Sequence, residues 1–290
     1  MGYAGKRKKK KLLWTLCILL MLTVGLVWFL HAENTVVTVS ELAFGSETLP
    51  EQFDGYRILQ VSDLHNAALP RLLERSAAGA PDCIFLTGDM IDVTTRAADF
   101  SVAMDYIRSL TALAPTYFVT GNHELDNPDY LLFKAQLQEA GVVVLSNDVV
   151  VLEEGGSSIA LLGVEDFLYF LSNDRYGQIL RSMKETADQV SDFSVLLAHR
   201  PEKMDIYAAV GFDLVFSGHA HGGQIRLPFV GAVSAPGQGL WPKYTEGLYT
   251  EGETSMIVSR GLGNSSRFSQ RLFNRPELVF VTLQRLETES

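Results

Sequence analysis

Short apolar segments alternate with helical patterns along most of this chain, and that alternation predicts an α/β fold. The predicted strands are 57–63, 83–86, 116–120, 142–146, 159–164, 193–198, 214–216, 256–259 and 278–283. One helix is predicted to open at Asn127-Pro128 and to end before Gly141, and another covers 201–210. We find no internal repeat, so residues 55–290 are predicted to form one domain.

An uncharged apolar stretch at residues 12–30 precedes this domain and is long enough to cross a bilayer as a helix. Basic residues occupy positions 6–11, and Glu33 is the first acidic residue after the stretch. The positive-inside rule then predicts a cytoplasmic tip (1–11), a single-pass signal-anchor in the cell membrane (12–30) and an extracytoplasmic remainder. The alternative is a signal peptide cleaved near Ala32, which the length of the stretch disfavours. Residues 31–54 are expected to form a tether and a first strand.

The charged residues are distributed unevenly along the chain. Six of its 24 Lys and Arg residues lie in the N-terminal tip, which leaves 18 basic against 34 acidic residues for the rest. So acidic a domain is a poor match for nucleic acid, which requires clustered basic residues. It can still accept phosphorylated substrates where metal ions supply positive charge. Nothing in the sequence indicates a protein partner.

Five of the six histidines follow predicted strands, in company with carboxylates and an asparagine. The blocks are Asp63-x-His65, Gly88-Asp89, Gly121-Asn122-His123-Glu124, His199 and Gly218-His219-x-His221. In α/β sheets the carboxyl ends of the strands are where ligands bind. Oxygen and imidazole ligands without thiolate suit divalent ions of the Mn, Fe or Zn class. The set is too large for one ion, so we expect two.

Read in order, these five blocks resemble the signature motifs of the calcineurin-like metallophosphoesterase superfamily. Residues 218–224, 259–263 and 275–277 narrow the resemblance to the bacterial YkuE/YaeI-like branch, whose members often carry an N-terminal membrane or export segment. The resemblance implies a four-layer sandwich, in which two mixed β-sheets lie face to face with helices outside.

The resemblance also implies roles for individual residues. The metal ligands would be Asp63, His65 and His221 for one ion, Asn122, His199 and His219 for the other, and Asp89 as the bridge. His123 would stand beside the metals near the scissile group, so Asp89 and His123 are the catalytic candidates.

Four further residues are candidates for supporting the site. Asp92, Glu124 and Gln224 are predicted to orient the imidazoles, with a purely structural role as the alternative. Arg200 is a candidate for binding substrate phosphate, although an exposed loop arginine is the favoured interpretation.

The predicted function is a dinuclear metal-dependent phosphoester hydrolase. A phosphodiesterase or pyrophosphatase acting on membrane or cell-envelope phosphoesters, lipid-linked ones included, is favoured. A phosphomonoesterase or exported nuclease is the alternative, and a non-catalytic envelope binding protein would be expected to lack some of the ligands. Residues 240–244 offer an apolar lip for an acyl or aryl group, although packing within the loop is the favoured interpretation.

Overall fold

The computed structural model describes residues 3–170, 172–264 and 270–287, with side chains from residue 10 onward. The side chains of Lys6–Lys9 in the predicted basic tip, and residues 288–290, lie outside the described part. The α-helices are α1 Tyr3–Thr35, α2 Leu72–Ala78, α3 Ser101–Thr111, α4 Asn122–Leu125, α5 Tyr130–Glu139, α6 Asn173–Ala187 and α7 Met204–Val210. Short 3₁₀ helices occur at Glu51–Phe53, Ala97–Asp99, Phe167–Tyr169, Pro201–Lys203 and His221–Gly223.

Sixteen strands are formed by the residues that the structure describes. They are β1 Thr38–Ser46, β2 Arg57–Val61, β3 Cys83–Leu86, β4 Thr116–Phe118, β5 Val143–Val144, β6 Asp148–Glu154, β7 Ser157–Gly163, β8 Ser194–Leu197, β9 Leu214–Ser217, β10 Arg226–Leu227, β11 Gly231–Ala232, β12 Ser234–Ala235, β13 Gly239–Leu240, β14 Gly247–Glu251, β15 Thr254–Val258 and β16 Glu277–Arg285.

Two mixed six-stranded sheets contain most of these strands. The first has the order β1-β16-β2-β3-β4-β5, with β2 to β5 parallel and β16 antiparallel to β2. The second has the order β14-β15-β9-β8-β7-β6, with a parallel centre and an antiparallel strand at each edge. The strands β10–β13 form two small hairpins after β9.

The two sheets pack face to face on a shared apolar core. In that core the rings of Phe85 on β3 and Phe216 on β9 meet with centroids 5.1 Å apart. The other face of the first sheet is covered by α2, α3 and α5, and that of the second sheet by α6 and α7. Each sheet is therefore buried on both faces, which explains why its central strands are continuous apolar runs. The predicted four-layer α/β fold is confirmed.

The N-terminal helix is longer than the apolar stretch that predicted it. Within it, Lys10–Thr35 is long and apolar enough to cross a membrane, and an 18-residue window inside it has a mean hydropathy of 2.4. Its last turn is not free, because Ala32 and Glu33 are buried against the domain. Only two residues separate α1 from β1, which pairs in parallel with β16 along its whole length. Most of the stretch expected to be a tether is thus regular structure.

Candidate metal centre

The metal-type side chains are delivered to one place by the ends of five strands. The segments that follow β2, β3 and β4 of the first sheet, the last of which opens α4, contribute one group: Asp63, His65, Asp89, Asn122 and His123. The loops after β8 and β9 of the second sheet contribute another: His199, His219 and His221. Because the sheets face each other, both groups converge at the same edge of the sandwich.

Sharp backbone turns aim these side chains inward. Asp63, His65, Asp89, His219 and His221 all have φ between 48° and 63°, the left-handed region that non-glycine residues rarely adopt. Five such residues at one site are a concentration of strain of the kind found at functional centres. Close approach also matters: a Cβ on Gly88 would lie 2.6 Å from His199 Nδ1, so only glycine fits there.

Two clusters of side chains could each hold a cation, and Asp89 belongs to both. The first comprises Asp63, His65, Asp89 and His221, and the second Asp89, His199 and His219. Within each cluster the potential ligand atoms lie within 4.8 Å of one another. A third grouping, of His65, Asp92 and His123, adjoins the first.

The hydrogen bonds of these residues leave ligand atoms available. His199 Nδ1 lies 2.7 Å from the carbonyl oxygen of Thr87, to which it donates, so in the neutral ring the Nε2 lone pair faces the centre. Asn122 Oδ1, His65 Nε2 and His221 Nδ1 are buried without a hydrogen bond to the described residues. Buried polar atoms are rarely left unsatisfied, so these donor atoms fit a bound cation.

The electrostatics of the centre also favour a cation. Burial lowers the pKa of His199, but the charges of Asp89, Asp63 and Asp166 and a hydrogen bond to Asp89 together outweigh burial and raise that pKa to about 10. Burial raises the pKa of Asp63, because it disfavours the charged carboxylate. Burial and neighbouring imidazoles hold the pKa values of His219 and His221 well below the ordinary value, so both rings are neutral and able to bind a metal.

His123 lies at the rim, with 14% of its side chain exposed. Its backbone N–H donates to Asp89 Oδ1 at 2.8 Å, and the Val93 N–H donates to its Nδ1 at 3.2 Å. Because Nδ1 accepts, the neutral ring carries its proton on Nε2. Burial lowers the pKa of His123, so that neutral form dominates near pH 7.

Glu124 supports the centre differently from the prediction. Its buried carboxylate accepts hydrogen bonds from four backbone amides, those of Asp89, Met90, Ile91 and Gly121, at 2.6–3.2 Å. It therefore ties the loops after β3 and β4 together through their backbones. Burial raises the pKa of Glu124 to about 7.

Asp92 and Gln224 have different surroundings. Asp92 Oδ2 lies 3.5 Å from His65 Nδ1, where it can orient that ring, and 3.6 Å from His123 Nδ1. Gln224 Nε2 lies 3.4 Å from Asn264 Oδ1 and 3.3 Å from the Gln270 carbonyl oxygen, on the side of the centre near the end of α1.

The favoured interpretation of Arg200 as an exposed loop arginine is wrong. Only 12% of its side chain is exposed, because its Nε donates to Asp166 at 2.8 Å and one terminal nitrogen lies 3.3 Å from Glu202. The same terminal nitrogen lies 3.4 Å from His219 Nε2. Arg200 is thus a paired cation at the border of the centre.

Sequence reasoning missed two polar residues that support the ligands. Ser62 donates to Asp63 Oδ2 at 2.5 Å. Asn274, 53 residues after His221, donates through Nδ2 to the His221 carbonyl oxygen at 2.7 Å and to the Gln224 carbonyl oxygen at 3.1 Å. Nothing local to Asn274 signals this long-range role.

A family model described as calcineurin-like phosphoesterase matches residues 56–223. The chain is 31% identical over 263 residues to the uncharacterized metallophosphoesterase YkuE of Bacillus subtilis (strain 168), covering 88% of each chain. It is 30% identical over 236 residues to the phosphodiesterase YaeI of Escherichia coli (strain K12), covering 79% of this chain and 82% of that one. A more distant relative is the UDP-2,3-diacylglucosamine pyrophosphatase LpxG of Chlamydia muridarum (strain MoPn / Nigg), which is 24% identical over 316 residues, 88% of this chain and 92% of that one.

Proposed function

Because the chain belongs to the calcineurin-like phosphoesterase family, and is therefore a metal-dependent phosphoric ester hydrolase, we propose that it works with two divalent ions as a phosphodiesterase or pyrophosphatase. The sharing of Asp89 between two ligand clusters carries this proposal. One ion would bind Asp63, His65 and His221, and the other Asn122, His199 and His219, with the Asp89 carboxylate between them. The donors are of the kind that Mn, Fe or Zn prefers.

The residues around the ions divide the remaining work. When bound, the ions polarise phosphoryl oxygens and make water a stronger acid. His123 sits at the rim, where its protonated ring can give the Nε2 proton to the leaving oxygen of an ester and return to the neutral form. Asp92 orients the ring of His65, and Glu124 holds the backbones of the segments after β3 and β4 together.

The membrane is the proposed location of the reaction. The helix Lys10–Thr35 would span the bilayer as a signal-anchor, with the basic tip in the cytoplasm and the catalytic domain outside. A cleaved export signal remains the alternative. Against it, Ala32 and Glu33 lie inside a helix and are buried against the domain, where a signal peptidase has poor access.

The proposed substrates are phosphodiesters or pyrophosphates of the membrane or cell envelope, lipid-linked compounds included. Two relatives are named as a phosphodiesterase and as a pyrophosphatase for a diacylated sugar nucleotide. An anchored site meets substrates held at the lipid surface more often than soluble ones. Phosphomonoester hydrolysis is the second candidate, because the ligand clusters alone do not exclude it.

The test is metal analysis coupled to a substrate screen. Full-length protein in vesicles would be stripped with chelator, reloaded with Mn²⁺, Fe²⁺ or Zn²⁺, and assayed on matched diester, pyrophosphate and monoester substrates. We expect two ions per chain and turnover that requires them, with diester or pyrophosphate preferred. Full turnover by the stripped protein would refute the mechanism, and a preference for monoesters would refute the substrate assignment alone.

A further inference from the structure

The hairpin formed by β10 and β11 exposes apolar side chains at its tip. The Val230 N–H donates to the Leu227 carbonyl oxygen at 3.1 Å, which closes a four-residue turn. Pro228 is second in the turn, and Phe229 is third with φ 67°. That is a type II turn, in which glycine or asparagine is favoured at the third position. Here the position holds a phenylalanine, fully solvent-exposed, followed by the exposed Val230.

This phenylalanine is not explained by folding. An exposed ring gains nothing from burial, and a bulky side chain in the left-handed region is strained. A glycine at this position would avoid both the exposed apolar ring and the backbone strain. A large apolar side chain in such a position therefore indicates a partner outside the chain.

The position of the hairpin beside α1 identifies that partner. Phe273 packs on Phe29, near the end of the apolar stretch of α1, with ring centroids 5.5 Å apart. Phe273 also lines an open groove together with the hairpin residues 226–231. The hairpin tip thus continues the apolar surface of α1 at the level where that helix leaves the lipid.

A second hairpin, formed by β12 and β13, exposes further apolar side chains and contacts the chain at the base of the first hairpin. Leu240 and Trp241 are 71% and 61% exposed, and the Trp241 N–H donates to the Val233 carbonyl oxygen just after β11. Trp241, like Phe229 and Phe273, has a positive φ. Aromatic side chains that are apolar in body and polar at one edge are typical of the membrane interface. The interpretation favoured from the sequence, packing within the loop, is wrong for these two residues, because their side chains face outward.

We propose that the tip of the β10–β11 hairpin, residues 227–230, inserts into the interfacial region of the lipid bilayer as a second membrane contact beside α1. The inference rests on the proposed spanning role of α1. The partner is the lipid surface itself, recognised through apolar burial. Charge contributes little, because Arg226 at the base of the hairpin is already paired with Glu246.

A two-point attachment fixes the orientation of the centre relative to the bilayer. The hairpin begins five residues after His221, and the Arg226 N–H donates to the Leu272 carbonyl oxygen at 2.9 Å. Leu272 lies in the segment 270–275, which contacts both α1 and the His221 loop. A domain held by α1 alone could still tilt together with that helix in the bilayer, whereas one held at two points presents the centre to the lipid surface.

The test is depth-dependent quenching with the full-length chain in vesicles of phosphatidylcholine brominated on the acyl chains. The three natural tryptophans, Trp14, Trp28 and Trp241, are replaced by Phe, and Phe229→Trp is added as the single reporter. The matched control is Leu131→Trp, an exposed apolar position on α5, which leads into the strand at the opposite edge of the first sheet from β1. A third protein keeps Trp28 alone, inside the spanning helix.

We expect at least a two-fold loss of fluorescence for Phe229→Trp, a blue-shifted emission, and no loss for Leu131→Trp. Salt at 0.5 M should not change this result, because the contact is apolar. Quenching of Phe229→Trp no greater than that of Leu131→Trp, with Trp28 quenched, would overturn the hairpin contact and leave the anchor intact. An unquenched Trp28 would overturn the anchor and the hairpin contact together, while hydrolysis of a soluble ester would still report on the proposed chemistry.

Discussion

Asp89 touches more of the centre than any other ligand candidate in the described residues. Its Oδ2 lies 3.2 Å from His199 Nε2 and 3.8 Å from His65 Nε2, and its Oδ1 accepts the His123 N–H. We predict that Asp89→Asn lowers metal content and reduces turnover at least ~100-fold, since an amide cannot supply the bridging charge. Elemental analysis and an aryl diester assay measure both effects. Asp105→Asn, on the exposed face of α3, is the control and should change neither.

His123 should affect turnover without affecting metal content. We predict that His123→Ala keeps its ions and slows cleavage of an alkyl diester by roughly 10²- to 10⁴-fold, the range for loss of a general acid. Cleavage of a nitrophenyl diester should slow much less, because that leaving group departs without a proton. Steady-state rates on the two substrates measure the difference. Equal losses on both would contradict the role as a proton donor.

Phe229 provides a prediction about stability. We expect Phe229→Gly to unfold at the same temperature as the parent or higher, with a gain of up to about 1 kcal/mol from relief of the left-handed strain. Phe229→Ala, which removes the ring but keeps the strain, is the matched control and should leave Tm unchanged. Thermal unfolding followed by circular dichroism measures the Tm of both variants and of the parent protein. A clear fall in Tm for both variants would mean that the ring packs within the protein.

At the residue scale, the sequence located those side chains that are both of a metal-ligating type and placed just after a predicted strand. The rule that ligands gather at strand ends was enough to expect Asp89, His199 and His221 at one edge, and the structure has them there. The same rule could not anticipate the partners of Arg200 or the long-range contacts of Asn274. Those depend on which distant loop lies opposite, and periodicity carries no such information.

At the element scale, the last turn of α1 is joined to the metal loops by a short series of contacts. Glu33 accepts the Asn274 N–H at 3.0 Å and pairs with Arg275 at 2.9 Å, and Asn274 in turn holds the His221 carbonyl oxygen. We predict that Glu33→Ala lowers the free energy of unfolding by about 2 kcal/mol, because a buried amide loses its charged acceptor. It should also weaken metal binding through His221.

Chemical denaturation and a metal titration measure these two effects of Glu33→Ala. The control is Glu139→Ala at the exposed end of α5, which should leave both quantities unchanged. Metal affinity equal to that of the parent protein would show that the anchor and the centre are independent.

Strands buried on both faces were predictable, and the two exposed edge strands of the second sheet were not. The apolar runs of β3, β8 and β9 identify them directly, because both faces of each strand are covered. The edge strands β6 and β14 were missed, since they are mostly exposed and contain acidic residues that break the apolar pattern. Their pairing is dictated by the neighbouring strands β7 and β15 rather than by their own composition.

At the scale of the whole molecule, metal binding should stabilise the fold, because the centre joins loops from both sheets. Without ions, the carboxylates of Asp63 and Asp89 are buried together at the seam. We predict that saturation at a thousand-fold excess over Kd adds about 4 kcal/mol, or roughly 8–16 °C in Tm. Calorimetry of chelated and reloaded protein in vesicles measures the shift. Asp89→Asn should show little of it, and an identical Tm with and without ions in the parent would contradict the prediction.

The series of contacts from Glu33 through Asn274 to His221 also bears on where catalysis can take place. A protease that cut within the last turn of α1 would release the domain and, in the same event, dismantle the framework behind one ligand loop. Given the proposed anchoring, shedding would then yield a weakened hydrolase rather than a fully competent diffusible one. Release from the membrane and loss of full activity would then occur together. Full hydrolysis would be confined to substrates within one domain's width of the lipid.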